Sequence, residues 1–161
     1  MGLIGLPCRP AVETIPRMPA HLVRSDVLYS GAPYAYASVA PPGRLIFTAG
    51  ACPIDENGNV TAAGDYVRQA ADAMANLVTA LAAAGASLGD VLKTTVYVAS
   101  AEQSDLVAVW NVVHGAFGKH DAPSTLLGVS VLGYTGQLVE IEAVALAGQQ
   151  AQAAREPALE T

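Results

Sequence analysis

The spacing of apolar and polar positions changes several times along the chain, and each change marks an element. Arg44–Ala49 (RLIFTA) is a short aliphatic and aromatic run that predicts a strand, and the Asn57-Gly58 pair after it predicts a tight turn. From Asp65 onward Val67, Ala70, Ala71, Met74, Leu77, Val78 and Leu81 recur at steps of three and four. That spacing predicts an amphipathic helix, which Gly85 stops. Val91–Val98 (VLKTTVYV) is β-branched and predicts another strand. Ser100 and Gln103 have the spacing of a capping box, opening a second helix with Leu106, Val109, Trp110, Val113 and Phe117 on its apolar stripe and Gly118 at its end. Two further strands are expected at Thr125–Leu132 and Leu138–Leu146. This order predicts an α+β domain, a mixed sheet with both helices packed on one face.

The flanks read differently. Pro7, Pro10, Pro16 and Pro19 interrupt any period, so residues 1–25 are expected to form an extended arm. Residues 149–161 are polar and Ala-rich and are expected to be a flexible tail, which leaves 26–148 as the domain. A length of 161 residues suits one such domain.

Composition sharpens this picture. The chain is 52% hydrophobic and only 14% charged, against about 25% charged in an ordinary soluble domain. No apolar run reaches the roughly 18 residues of a membrane helix, so the excess must be buried by protein, and an oligomer is expected. The formal net charge is −6, and the lysines are Lys93 and Lys119. Nucleic acid and anionic membrane are therefore poor partners, because both are bound chiefly through clustered basic residues. Cys8 and Cys52 form no CxxC and no disulfide scaffold. The first residues lack the basic start and unbroken apolar core of a secretory signal, and a cytoplasmic protein is expected.

Most catalytic templates fail. GVSVLG holds one residue too many for a nucleophile elbow, and no phosphate-binding glycine motif is present. His21, His114 and His120 form no metal-ligand spacing, so no metal is expected. Cys52 has no histidine beside it in sequence and reads more readily as a buried structural thiol. One feature survives. In Leu138–Val144 (LVEIEAV) the period of two puts Glu140 and Glu142 on one face and Val139, Ile141 and Ala143 on the other. With the apolar face on the helices, the glutamates point to solvent or to another subunit. Two readings stay open on spacing alone. Both carboxylates are solvated, or a subunit contact turns their face into a cleft wall, where a desolvated carboxyl can shuttle protons.

Several blocks, taken together, resemble one family. They are Gly31-Ala32-Pro33-Tyr34, Leu45–Gly50 (LIFTAG), Val91–Val98, Asn111 with Phe117, Pro123, and Val139–Ala145 (VEIEAVA). In this order, over residues 31–147, they resemble the Rid (YjgF/YER057c/UK114) proteins. The resemblance implies a chorismate-mutase-like fold, a homotrimer with sites at subunit interfaces, and cofactor-independent hydrolysis of reactive enamines or imines with release of ammonia. It implies Glu142 as the glutamate that positions the attacking water, and Tyr34, Gly50 and Asn111 as pocket residues. One departure matters. The deaminase members follow the proline with Ala-Arg, and the arginine grips the substrate carboxylate; here the sequence is Pro123-Ser124-Thr125. A threonine hydroxyl offers one neutral donor where a guanidinium offers a charged fork. Thr125 thus implies a substrate other than a standard 2-imino acid. Two alternatives remain: a non-catalytic trimer that binds a small metabolite, or a biosynthetic enzyme using the same cleft for cyclisation or dehydration. A ribonuclease is the least favoured, given the acidity and the two lysines.

Overall fold

The computed structural model describes residues 19–148. Cys8, the tail 149–161 and all of the expected arm except residues 19–25 lie outside the described residues. Six strands and two helices follow one another: β1 (His21–Val23), β2 (Ala37–Val39), β3 (Leu45–Phe47), α1 (Tyr66–Ala83), β4 (Val91–Val98), α2 (Gln103–Phe117), β5 (Ser124–Gly128) and β6 (Val139–Leu146). The main sheet has the order β3-β6-β4-β5; β4 and β5 run parallel, the other neighbours antiparallel. β1 and β2 form a separate antiparallel pair, which Ser38 fastens to the main sheet by donating to the Leu92 carbonyl at 2.7 Å. The mixed sheet and its two helices agree with the expected α+β class.

Alternation sets the two faces of the sheet. On β6, Val139, Ile141, Ala143 and Ala145 are buried, and on β4 so are Val96 and Val98. These side chains meet Ala73, Leu77 and Leu81 of α1 and Val109 and Val113 of α2 in one core. Both helices therefore cover one face, as the patterning predicts. The ends of α1 follow their expected chemistry. The Asp65 side chain accepts from Arg68 N, and Gly85, at φ 80°, closes the helix with Ala86 N donating to Leu81 O at 2.8 Å. The Asn57-Gly58 turn is also present, with Gly58 N on Asp55 O at 3.0 Å.

Four expectations need correction. α1 is rotated from its predicted stripe: Val67 and Val78 are half-exposed and Ala71 is exposed, whereas Gln69 and Ala73 face inward. Alanines on every side leave the apolar stripe ill-defined, and the buried Gln69 amide fixes the rotation. Its Nε2 donates to Gly136 O at 3.0 Å and its Oε1 accepts from Leu138 N at 2.7 Å. Ser100 and Gln103 form no capping box, because α2 begins at Gln103 itself. Ser100 Oγ instead accepts from Glu102 N and donates to the Asp105 carboxylate at 2.7 Å. A reciprocal serine–acid cap occurs at Ser87 and Asp90, before β4. β5 does not reach Leu132 but stops at Gly128, and at Gly128 a Cβ would crowd the Ser100 carbonyl. Finally, β1 and β2 were not predicted, since three-residue strands among Pro, Gly and Tyr carry no readable alternation.

Candidate functional site

The uncovered face of the sheet is where chemistry collects. Register places Thr95 of β4 opposite Glu142 of β6 and opposite Thr125 of β5, and Tyr97 opposite Glu140 and Leu127. Lys93 lies two residues before Thr95 and shares its face. One side of the sheet thus carries Lys93, Thr95, Tyr97, Thr125, Glu140 and Glu142 in a contiguous polar array. Apolar side chains surround it: Phe47 is 73% exposed, Leu45 50% and Leu127 41%.

Glu142 is half-buried on this face, and Tyr97 Oη donates to its Oε1 at 3.0 Å. Accepting that hydrogen bond, the carboxylate pushes the Tyr97 phenol above its ordinary value, with desolvation and the charges of Glu142 and Glu140 adding to the effect. One Glu142 oxygen is therefore oriented by a phenol, and the side chain faces away from the helices.

Glu140 does a different job. Its Oε2 accepts from Gln137 Nε2 at 3.0 Å and lies 3.6 Å from Cys52 Sγ. Gln137 is buried and its Oε1 accepts from Tyr134 N, so Glu140 is tied into the loop before β6. Gly50 packs against this glutamate so closely that a Cβ there would overlap the Glu140 carboxyl. Cys52 is pushed up by burial first and by the Glu140 charge second, which keeps the thiol protonated and a poor nucleophile. Cys52 is half-buried rather than fully buried.

Thr125 is exposed on β5, and its Oγ1 accepts from Lys93 Nζ at 2.8 Å. Two strand spacings separate it from Glu142, roughly 10 Å. Tyr34 sits in the loop before β2. Arg24 holds that loop, donating to the carbonyls of Ala32 and Tyr34 while it pairs with Asp121. The Tyr34 ring meets Tyr36 and Trp110 edge-on, with centroids 6.1 and 6.2 Å apart. Tyr34, Tyr36, Lys93, Ser124 and Thr125 line one groove of about 350 Å³. Asn111 is exposed on α2, next to half-buried Trp110 and in the layer behind the sheet. Within one chain, then, the fold brings Tyr34 to Thr125 and sets Glu142 on the same face as Thr125, while Asn111 stands apart from Glu142. Lys93, Tyr97 and Gln137 were not singled out from the sequence. The polar positions 93, 95 and 97 of VLKTTVYV were the available signal for the first two.

Among the described residues no group of three His, Cys, Asp or Glu side chains could hold a metal ion. No described helix is long and apolar enough to cross a membrane.

Comparison with known proteins locates this arrangement. Residues 26–147 match the family described as Endoribonuclease L-PSP. A RutC family protein of Pyrococcus horikoshii is 35% identical over 110 residues, covering 68% of this chain and 85% of that protein. The crystal structure of the Rid-family protein YyfB of Yersinia pestis superposes with a TM-score of 0.74 at 29% identity, over 80% of this chain and 99% of that one. TdcF of E. coli, solved with bound serine, gives 0.57 at 28% identity, over 73% and 90%. Together with the sheet order and the helix-covered face, these matches show that the chain belongs to the Rid/YjgF family, the family described as Endoribonuclease L-PSP.

Proposed function

We propose that this protein is a cytoplasmic, cofactor-independent hydrolase of a reactive imine or enamine, acting as a homotrimer whose clefts include the open sheet face. The observation that carries the reading is Glu142. It is a carboxylate in an apolar-rimmed sheet face, held at one oxygen by Tyr97. Its second oxygen can take a proton from water as the water oxygen bonds to the imine carbon. That proton then goes to nitrogen, and the carbinolamine collapses to a carbonyl and ammonia. An enamine enters the same sequence after protonation at carbon. Tyr34 and Thr125 would orient the substrate from one chain, and Asn111 would join them from another copy. The Ala51 amide is engaged with Ile141 O, which leaves the Gly50 amide to meet developing negative charge.

The exposed Phe47, Leu45 and Leu127 support the assembly, because a second copy would cover them. TdcF with bound serine supports a ligand of amino-acid size. The substrate would be other than a standard 2-imino acid, since Thr125 cannot supply a guanidinium fork. The net charge of −6 argues against an RNA substrate.

Ammonia release from neutral and acidic imines and enamines generated in situ tests the reading. Turnover of at least one class is expected. Saturable binding without ammonia would replace the hydrolase by a metabolite-binding trimer, the alternative that the loss of arginine favours. A cyclised or dehydrated product without ammonia would favour a biosynthetic role.

A further inference from the structure

We infer that Arg24 and Asp121 are positioning residues, a latch that clamps the Tyr34 loop onto the end of α2 and keeps the Tyr34 ring at the wall of its groove. The inference rests on the proposed reading of Tyr34 as a residue that orients substrate. The loop over 24–36 joins β1 to β2, and two three-residue strands give it little support of their own. Its anchors converge on Asp121 instead. Arg24 Nη1 donates to the carbonyls of Ala32 at 3.1 Å and Tyr34 at 3.3 Å, and Nη2 donates to Asp121 Oδ2. Ala35 N donates to the Asp121 carbonyl at 2.8 Å. The second carboxylate oxygen of Asp121 faces His114 Nε2 at 3.6 Å. His114 stacks on Trp110, one helical turn earlier, and Trp110 meets the Tyr34 ring edge-on. Guanidinium, carboxylate, imidazole, indole and phenol thus form a circuit that begins and ends on the Tyr34 loop.

Asp121 is a firm point for that circuit. It lies between α2 and β5, and its own segment is tied to the main sheet. His120 Nε2 bonds to Val91 O at 2.7 Å, and Thr94 N donates to Pro123 O at 3.0 Å. Ser124 and Thr125, which open β5, line the same groove as Tyr34. The latch therefore fixes where Tyr34 stands relative to Thr125. Arg24 is exposed, and an ion pair so open to water adds little to global stability. Its effect is local. The planar fork meets two loop carbonyls and one carboxylate at once, which registers the backbone at 32 and 34 against residue 121.

Trp110 is the single tryptophan of the chain, so its fluorescence reports the latch with no substrate present. Acrylamide quenching is compared in full-length wild type, Arg24→Met and Tyr34→Ala, the last of which uncovers the indole directly and sets the scale. Arg24→Met should raise the quenching constant at least about twofold and speed hydrogen exchange at the Ala35 amide at least about tenfold, with melting temperature and light-scattering mass as in wild type. Asp121→Asn, which keeps the shape and removes the charge, should shift both in the same direction and decides the matter if Arg24→Met does not fold. On an imine that wild type hydrolyses, Arg24→Met should raise KM about tenfold and leave kcat within about threefold, because Glu142 is untouched. Wild-type quenching and exchange in the variants overturn the latch. So does a loosened loop with unchanged KM, which would leave Tyr34 no part in binding, or a melting temperature that falls in step with the quenching, which would make the pair a support of the fold. The hydrolase reading fails separately: if no imine yields ammonia, quenching and exchange still decide the latch.

Discussion

The two faces of the main sheet are built from the same strands and do opposite things. On β6, Val139, Ile141 and Ala143 pass beneath α1 and α2, while Glu140 and Glu142, one residue out of step, face away. β4 repeats the arrangement, with Val96 and Val98 inward and Lys93, Thr95 and Tyr97 outward. On one side water is excluded by packing within the chain. On the other, carboxylates, a phenol and an ammonium sit among exposed aromatic and aliphatic side chains. Residue parity along a strand therefore separates the side chains that pack the core from those that form the polar open face, and a substitution at one position should leave its neighbour's task intact.

The sharpest break in this comparison is between adjacent residues. Ile141→Ala removes a fully buried side chain and should cost about 2–5 kcal/mol of stability in denaturant titration. Glu142→Gln, on the half-buried side, should cost less than about 1 kcal/mol. Equal losses would mean that Glu142 is part of the core. The open face should instead respond in assembly. Phe47→Asp places a charge on the most exposed aromatic of that face and should reduce the light-scattering mass from several chains to one. An unchanged mass would remove the sheet face from the association surface.

Smaller effects test the site's interior. Tyr97→Phe deletes one hydrogen bond to Glu142 and should slow turnover about two- to tenfold. The sign with pH follows from the raised phenol. The bond is present below the ordinary tyrosine value, near 10, and is lost as pH rises through the higher folded value. Wild type should therefore hold its activity into alkaline solution and then fall, a limb that Tyr97→Phe should lack. The smallest effect concerns Cys52. Burial and Glu140 keep its thiol protonated, so at pH 8 its alkylation, followed by peptide mapping, should lag a free cysteine several-fold.

Much of the fold was legible because its main elements are long and periodic. β4 and β6 are eight residues each and alternate over most of their length, β4 only after the register shift at its start, and the glycines at 85 and 118 end both helices. The same alternation separates Glu140 and Glu142 from the core. Less legible was anything set by neighbours distant in sequence. The rotation of α1 depends on Gln69 meeting Gly136 and Leu138, some 70 residues away, and its alanines blur the edges of the stripe. The partnership of Lys93 with Thr125 depends on parallel register between β4 and β5, which local pattern does not specify.

The account turns on Glu142, and ammonia release by wild type and Glu142→Gln, measured side by side on protein of matched circular dichroism and melting, tests it most directly. A fall of at least about a hundredfold in the variant, with fold and assembly unchanged, is the predicted result. Equal rates in the two proteins would contradict the assignment of Glu142 and move the chemistry elsewhere on the molecule.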